Sequence, residues 1–326
     1  MKMVKIAIVG ATGIVGQTFI KILQEENNEN IEIELFASNK SVEKEIIYNN
    51  KLLKVSQLNE NSFDDVDYAM FFTSDDVSKI FIPIALKKNV VVIDNSSAFR
   101  MDKNPKLVIA DANDNIININ EDKLISNPNC CSIQCLKVIS KIKEYSIKRI
   151  IYNTYQSVSG SGKQGIDDLI RCRKGLVPLF YETDISFTCI PKIGEYQSDG
   201  FTSEEEKLVN ETKRFLNDEN IDVLSTCVRV PVMFSHGVSV QIDFNEDFDL
   251  NIIKNKIFQD KDIVECEKIL PTSVLSCRND KIYVGRIRKH KNTLLFYCVA
   301  DNIRVGAATN SYKILKKFIK GKDNEN

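Results

Sequence analysis

The chain has 326 residues, 43% hydrophobic and 27% charged, with a formal net charge of −1. That balance is ordinary for a globular protein of about two domains, and it supplies neither the basic field that nucleic acid binding needs nor an anchor for a membrane surface. No apolar run approaches the roughly 20 residues of a membrane span, and the N-terminus leads directly into a strand pattern, so a cytoplasmic protein is expected. Nine cysteines at irregular spacings are expected to be reduced and mostly structural, with no metal site.

Lys5–Val9 reads as a short buried strand, followed by Gly10-Ala11-Thr12-Gly13-Ile14-Val15-Gly16 and a helical pattern from Gln17 to Gln24. In such a strand, glycine turn and helix, backbone amides and the positive end of the helix can approach a pyrophosphate, which predicts a dinucleotide site. The second strand, Ile31–Phe36, ends in Ala37-Ser38-Asn39-Lys40-Ser41. Hydroxyls and a cation suit the 2′-phosphate of NADP, whereas Glu34 would serve the ribose of NAD if the strand ended earlier. Tyr68–Phe72, the capping run Thr73-Ser74-Asp75-Asp76, a helix from Val77 to Leu86 and the strand Asn89–Ile93 continue the alternation. Arg100 lies just past that last strand, where ligands gather in parallel sheets, and reads as an anion clamp or a surface charge.

Asn127-Pro128-Asn129-Cys130-Cys131 then opens a helix whose apolar residues, Ile133, Leu136, Ile139 and Ile142, recur at three-residue steps as far as Tyr145. A thiol at the positive end of a helix ionises readily, which makes Cys130 a candidate nucleophile; a small buried hydrophobe is the alternative. Cys130, Cys131 and Cys135 crowd one turn without the usual spacing of metal ligands. Lys148–Thr154 reads as a strand followed by the Gly/Ser-rich loop Tyr155–Gly162, and beyond Lys163 the strand–helix alternation lapses.

Ser203-Glu204-Glu205-Glu206-Lys207 opens a capped helix to Leu216, and the strand Leu224–Pro231 carries Arg229, a cation that is costly to bury without an anion. Of two histidines, His290 lies in a charged run, so His236 is the candidate base or a structural histidine. A last strand, Leu294–Val299, precedes the small-residue turn 301–310 and a helix from Ser311 to Ile319. The expected fold is α/β: a Rossmann-type dinucleotide-binding domain formed by residues 1–129 and 305–326, with an inserted α+β substrate and dimerisation domain, 130–304, built on a mainly antiparallel sheet.

Nearly end to end, the chain resembles the aspartate-β-semialdehyde dehydrogenase family. The resemblance rests on the Gly10–Gly16 loop, Asp94–Arg100, Pro128-Asn129-Cys130, Thr154-Tyr155-Gln156, Cys227-Val228-Arg229-Val230-Pro231 with His236, and Gly306-Ala307-Ala308. It implies an NADP-dependent enzyme of lysine, threonine and methionine biosynthesis, a homodimer or homotetramer acting on a small molecule and inorganic phosphate. In that scheme Cys130 is the nucleophile, His236 the acid/base and Gln156 orients the substrate near the thiol. Arg229 grips the α-carboxylate and Glu204 the α-amino group, while Arg100, Asn129 and Lys207 serve the phosphate. Gly10, Ala11, Thr12, Gly13, Ile14, Val15, Gly16, Ser38, Lys40, Ser41, Thr73, Ser74, Ser159, Gly160, Asn302 and Gly306 are implied to line the cofactor. The chain departs from the family pattern at Cys131, where serine or threonine is commoner, at Lys40 in place of arginine, and in a shorter Gly165–Ile190 region. The alternatives are the neighbouring N-acetyl-γ-glutamyl-phosphate reductase, whose substrate lacks the free amino group that Glu204 would meet, and a non-catalytic NADP-binding relative.

Overall fold

Strand β1 (Val4–Val9) turns Ile6 and Ile8 to one side and Ala7 and Val9 to the other, and all four are fully buried. A strand apolar on both faces belongs inside a sheet covered by helices on both sides. The structure, a computed structural model, describes residues 3–27 and 30–323. The chain divides into two compact units, Met1–Pro128 with Ala307–Asn326, and Asn129–Gly306.

In the first unit β1 is followed by helix α1 (Ile14–Glu25), β2 (Ile31–Ala37), β3 (Glu45–Tyr48), β4 (Lys51–Gln57), β5 (Tyr68–Phe71), helix α2 (Asp75–Lys87), β6 (Val91–Asp94), β7 (Lys106–Leu107) and β8 (Leu124–Ser126). The strands form one sheet in the order β3-β4-β2-β1-β5-β6-β8-β7, parallel except for the β3–β4 hairpin. Helix α1 and the C-terminal helix, Thr309–Asp323, cover the Ile6/Ile8 face through Phe19, Leu23, Ile314, Leu315 and Phe318. Helix α2 covers the opposite face through Ile82 and Ala85. Each large apolar side chain so buried contributes about 1.5–3 kcal/mol. The strand order reverses at β1, so its carboxyl end opens into the crevice where parallel sheets bind ligands.

The hairpin falls outside the expected pattern. Asn49 and Asn50, at φ 47° and 62°, form the tight turn that a two-residue hairpin requires, and β3 is a mostly exposed edge.

The second unit runs α3 (Cys130–Ile139), β9 (Ile147–Gln156), α4 (Gly162–Arg173), α5 (Ser203–Leu216), β10 (Asp222–Arg229), β11 (His236–Phe244), α6 (Leu250–Phe258), β12 (Ile263–Cys266), α7 (Ser273–Ser276), β13 (Ile282–His290) and β14 (Thr293–Ala300). Its sheet, ordered β10-β9-β11-β14-β13-β12, is antiparallel at its centre and parallel at both edges, where β10 joins β9 and β12 joins β13. The sheet is therefore mixed, with antiparallel pairings in the majority.

Two local expectations are corrected. Helix α3 stops at Ile139 and not at Tyr145, because Lys141 and Ile142 bond to Val138 and Ile139 in tighter turns that still hold Ile142 in the core. The Gly/Ser-rich segment after β9 is no open loop either: Val158–Ser161 is a 3-10 turn leading into α4.

Candidate active site

Strand pairing alone assembles much of the second unit's site. Gln156 ends β9 beside Arg229, which ends β10 in parallel register, and His236 begins the neighbouring antiparallel β11. All three are buried: Gln156 is 1% exposed, Arg229 5% and His236 0%.

Cys130 is the first residue of α3. Asn129 caps that helix, its Oδ1 accepting the Cys131 N–H at 2.9 Å, and its Nδ2 donates to Glu204 at 2.8 Å. The amide expected to serve phosphate thus also holds the helix cap and Glu204. Adjacent side chains on a helix diverge: Cys131 is wholly buried, whereas Cys130 keeps partial exposure. The Sγ atoms of Cys130 and Cys131 and one ring nitrogen of His236 lie within 4.8 Å of one another. A hydrogen bond from Cys131 holds the Cys130 thiol well below its ordinary pKa against the opposing effect of burial, and His236 adds to the lowering. Burial, with that same bond, pushes Cys131 well above. Of the two thiols, Cys130 is the one whose surroundings favour the thiolate.

Two thiols and an imidazole would suit zinc by composition. However, Nδ1 of His236 accepts the Ser157 N–H at 3.0 Å, which puts the ring proton on Nε2. The ring offers the thiol a donor where a metal would need a lone pair.

Glu204, in the first turn of α5, also accepts from Gln156 Nε2 and Lys207 Nζ, each at 3.3 Å. Burial would raise its pKa, but Lys207, Asn129, Gln156 and Arg229 together hold it below the usual value, so a carboxylate persists inside the site. Arg229 gives one side-chain hydrogen bond, from Nη1 to the Ser157 carbonyl at 2.7 Å, leaving most of the guanidinium for a ligand. Gly160 makes room for both cation and ring: a Cβ there would stand 2.7 Å from Arg229 Nη1 and 3.1 Å from His236 Nε2. Gly306 is pressed against Cys130 in the same way, a Cβ falling 2.6 Å from Cys130 Cβ.

Ser159 and Asn302 are fixed by hydrogen bonds within the second unit. They are 2% and 4% exposed, and Asn302 Oδ1 is taken up by Ser157 Oγ, Ser159 Oγ and the Ser235 N–H at 3.2, 3.0 and 2.9 Å. Sequence reading passed over Ser157 itself, because a serine in a Gly/Ser run reads as loop.

The remaining expected residues belong to the first unit. Gly10, at φ +87°, leads the tight turn in which a Cβ at Gly16 would meet Gly10 O at 2.4 Å. Between them Ala11 is buried, Thr12 flanks the turn, and Ile14 and Val15 open α1. Helix α1 has no side-chain cap at Gly13, so its first amides stay free for an anion. Thr73 lies beside this turn, with Cγ2 3.2 Å from where a Cβ on Gly10 would stand, and Ser74 precedes α2 without a side-chain cap bond. Thr12 Oγ1 donates to Ser41 Oγ at 3.2 Å, and Lys44 Nζ, unremarked in the sequence, reaches Ser41 Oγ at 3.4 Å. Ser38 and Lys40 are exposed at the same turn. Strand β2 runs to Ala37, leaving Glu34 in mid-strand opposite Ala7 and disposing of the NAD alternative built on it. Arg100 is buried and donates to the carbonyls of Asn127 and Asn95 at 2.8 and 2.6 Å, at the carboxyl ends of the first sheet.

Residues 5–119 match the family model for the semialdehyde dehydrogenase NAD binding domain, and residues 139–305 match its dimerisation domain. The aspartate-semialdehyde dehydrogenase of Rickettsia bellii is 37% identical over 337 residues, covering 98% of each chain. The crystal structure of aspartate semialdehyde dehydrogenase II from Vibrio cholerae is 36% identical with a TM-score of 0.93, covering 98% of this chain and 99% of that one. The same enzyme complexed with ASA gives 35% and 0.93 at the same coverage. With two family models spanning most of its length and full-length relatives at this identity, the chain belongs to the aspartate-semialdehyde dehydrogenase family of NAD(P)-dependent oxidoreductases.

Proposed function

We propose that the protein interconverts L-aspartate 4-semialdehyde and 4-phospho-L-aspartate, using NADP and inorganic phosphate. One observation carries this reading: an ionisable thiol faces an imidazole within 4.8 Å, beside a buried carboxylate, Glu204, and a buried guanidinium, Arg229, with capacity to spare. A small substrate with both an ammonium and a carboxylate near its aldehyde satisfies all four groups. An N-acetylated substrate would leave Glu204 without a counter-charge.

In this scheme the Cys130 thiolate attacks the aldehyde carbon, a role its lowered pKa supports, since the same sulfur must later leave. Gln156 orients the substrate and His236 serves the oxygen that gains charge. Lys207 would receive the phosphate that displaces the thiolate from the thioester, and Arg100 is proposed as an anion clamp of the first unit. NADP⁺, when bound, accepts the hydride. The open turn Gly10–Gly16, the uncapped start of α1 and the Thr12–Ser41–Lys44 set fit its pyrophosphate and 2′-phosphate. The unit with the glycine turn would therefore hold the cofactor, and the unit beginning at Asn129 would carry out the chemistry.

A homodimer is part of the proposal. The second sheet keeps Tyr155 and Leu224 exposed on one face, 43% and 41%, within the segment matched by the dimerisation model. Nine free thiols and no disulfide accord with a reducing cytoplasm.

Purified protein should reduce NADP⁺ when given aspartate semialdehyde and phosphate. Cys130→Ala should abolish this, and Cys131→Ala should leave turnover measurable. Activity that survives Cys130→Ala would remove the nucleophile, and turnover of only the acetylated five-carbon homologue would move the protein to the neighbouring reductase.

A further inference from the structure

Helices α3 and α5 begin with the same chemical need and meet it differently. At the start of α5 the need is met locally: Thr202 Oγ1 accepts the Glu205 N–H at 3.4 Å, and Glu205 Oε2 accepts the Thr202 N–H at 2.8 Å. That is a reciprocal capping box. At the start of α3 only half of the arrangement is local. Asn129 Oδ1 accepts the Cys131 N–H, but Ser132, the residue placed to return the bond, does not do so. Ser132 is wholly buried, and its Oγ has no hydrogen-bond partner among the described residues. The missing half comes from α5. Glu211 Oε2 accepts the Asn129 backbone N–H at 2.7 Å from 82 positions away, at the short end of the range for such a bond.

Glu211 is 1% exposed, and the helix that carries it is anchored at both ends. Glu205 Oε1 accepts the Cys227 N–H of β10 at 2.9 Å, and Ser225 Oγ of the same strand donates to the Glu205 carbonyl at 3.0 Å. Thr212, next to Glu211, shares a hydrogen bond of 3.1 Å with Tyr152 Oη of β9. Strands β9 and β10 end in Gln156 and Arg229. The Glu211 bond therefore ties the start of α3, and Cys130 with it, to the elements that carry the groups proposed for the substrate. Asn129 has a second tie to α5, from Nδ2 to Glu204 Oε1 at 2.8 Å, but that oxygen also accepts from Gln156. In the proposed reaction Glu204 receives the substrate ammonium, which competes for the same lone pairs.

We infer that Glu211 is a positioning residue for the nucleophile: it completes the cap of α3 from a neighbouring helix and holds Cys130 in place while Glu204 turns from Asn129 to the substrate. The exchange at Glu204 rests on the proposed reaction; the bracing of Cys130 by Glu211 does not. Glu211 makes and breaks no bond of the substrate. What the Asn129 N–H requires is an acceptor at that place, which a carboxylate or an amide oxygen can supply. Without it a buried donor is left unpaired and the first turn of α3 shifts. A displacement of about 1 Å at a reacting atom costs about 10²-fold in rate.

The test compares Glu211→Gln, which keeps an oxygen acceptor at the same reach, with Glu211→Met, which keeps most of the volume and loses the acceptor. In Glu211→Met, kcat should fall by about 10²-fold, the rate of Cys130 alkylation by iodoacetamide should fall with it, and KM for aspartate semialdehyde should stay nearly unchanged. Glu211→Gln should hold both rates within about tenfold of wild type. Glu204→Gln should show the opposite split, with KM raised more than kcat is lowered. Wild-type kcat and alkylation in a folded Glu211→Met protein overturn the inference, and so does a glutamine variant as impaired as the methionine one. Where Glu211→Met does not fold, Glu211→Asp, which keeps the charge and withdraws the acceptor by one methylene, takes its place with the same expectation. Alkylation needs no substrate. The expected order of alkylation rates in a protein inactive toward aspartate semialdehyde would therefore fail the proposed reaction and leave the role of Glu211 standing, whereas turnover and alkylation untouched by every Glu211 variant would do the reverse.

Discussion

Replacing Gly306 by alanine should cripple the enzyme without unfolding it. The added Cβ would stand 2.6 Å from Cys130 Cβ, 3.0 Å from its Cα and 3.4 Å from its carbonyl oxygen. Carbon atoms settle at about 3.5–4.0 Å, so a separation of roughly 1 Å must open between two stretches of backbone. Neither is free to give way: Cys130 is held by the Asn129 cap, and the Gly306 N–H is bonded to Asp301 O at 3.1 Å. Overpacking of this kind costs about 1–3 kcal/mol. A 1 Å displacement of a reacting atom costs about 10²-fold in rate. Three measurements separate the effects: steady-state turnover, the rate of Cys130 alkylation by iodoacetamide, and the thermal midpoint. We expect kcat and the alkylation rate to fall together, with folding retained. Wild-type turnover and alkylation in Gly306→Ala would show that the glycine does not brace the nucleophile and would refute the reasoning.

Three further outcomes are expected. Cys131→Ala should shift the pH profile of Cys130 alkylation upward, because the Cys131 hydrogen bond is the largest influence lowering that thiol; an unchanged profile would mean the second thiol is only packing. Lys44→Ala and Ser41→Ala should each raise KM for NADP⁺ by roughly tenfold while leaving that for NAD⁺ nearly alone, with Lys40→Ala having the smaller effect, and equal losses with both cofactors would count against a 2′-phosphate site at this turn. Lys137, 5% exposed and 3.1 Å from Asp262 Oδ2, should cost about 3–5 kcal/mol when changed to methionine, since it leaves buried carboxylates short of a cation. Lys141 and Lys281 also reach Asp260 and Asp262, so the lower end is expected, and a denaturant midpoint unchanged from wild type would contradict it.

The first unit was legible where burial on both faces wrote long apolar runs, as in Ile6–Val9 and Tyr68–Phe71, and where glycines marked the turn that a helix start requires. The β3–β4 hairpin was not legible. Its strands leave Ile47 and Leu52 exposed, 63% and 58%, so no alternation of apolar and polar residues marks an inner face. The true end of α3 was hidden for the opposite reason. Ile142 remains in step with the helical stripe because the 3-10 turn that follows keeps it pointing into the core. Ser157 and Lys44 escaped notice because neither means anything locally: Ser157 acquires its role from a ring 79 positions away, and Lys44 from a turn that folds back onto Thr12.

The choice between Cys130 and Cys131 shows how far local reading can go. Successive residues of a helix point about 100° apart, so two adjacent cysteines at a helix start meet different surroundings. Which one is buried depends on where the helix begins. Two asparagines, Asn127 and Asn129, were each able to cap it, and a start two residues earlier would rotate the thiols by about 200° and give both new surroundings. The structure resolves the choice with contacts distant in sequence: the Asn129 N–H donates to Glu211 at 2.7 Å and its amide to Glu204 at 2.8 Å, both on α5. Helix α5, capped by Thr202 and Glu205 one residue ahead of the serine expected to cap it, thereby sets the start of α3. The start of the helix that carries both thiols was thus set about 75 residues downstream, in the same carboxylate proposed to receive the substrate amine. Removing that carboxylate without unfolding the chain, as in Glu204→Gln, should therefore weaken both substrate binding and the helix start that presents Cys130.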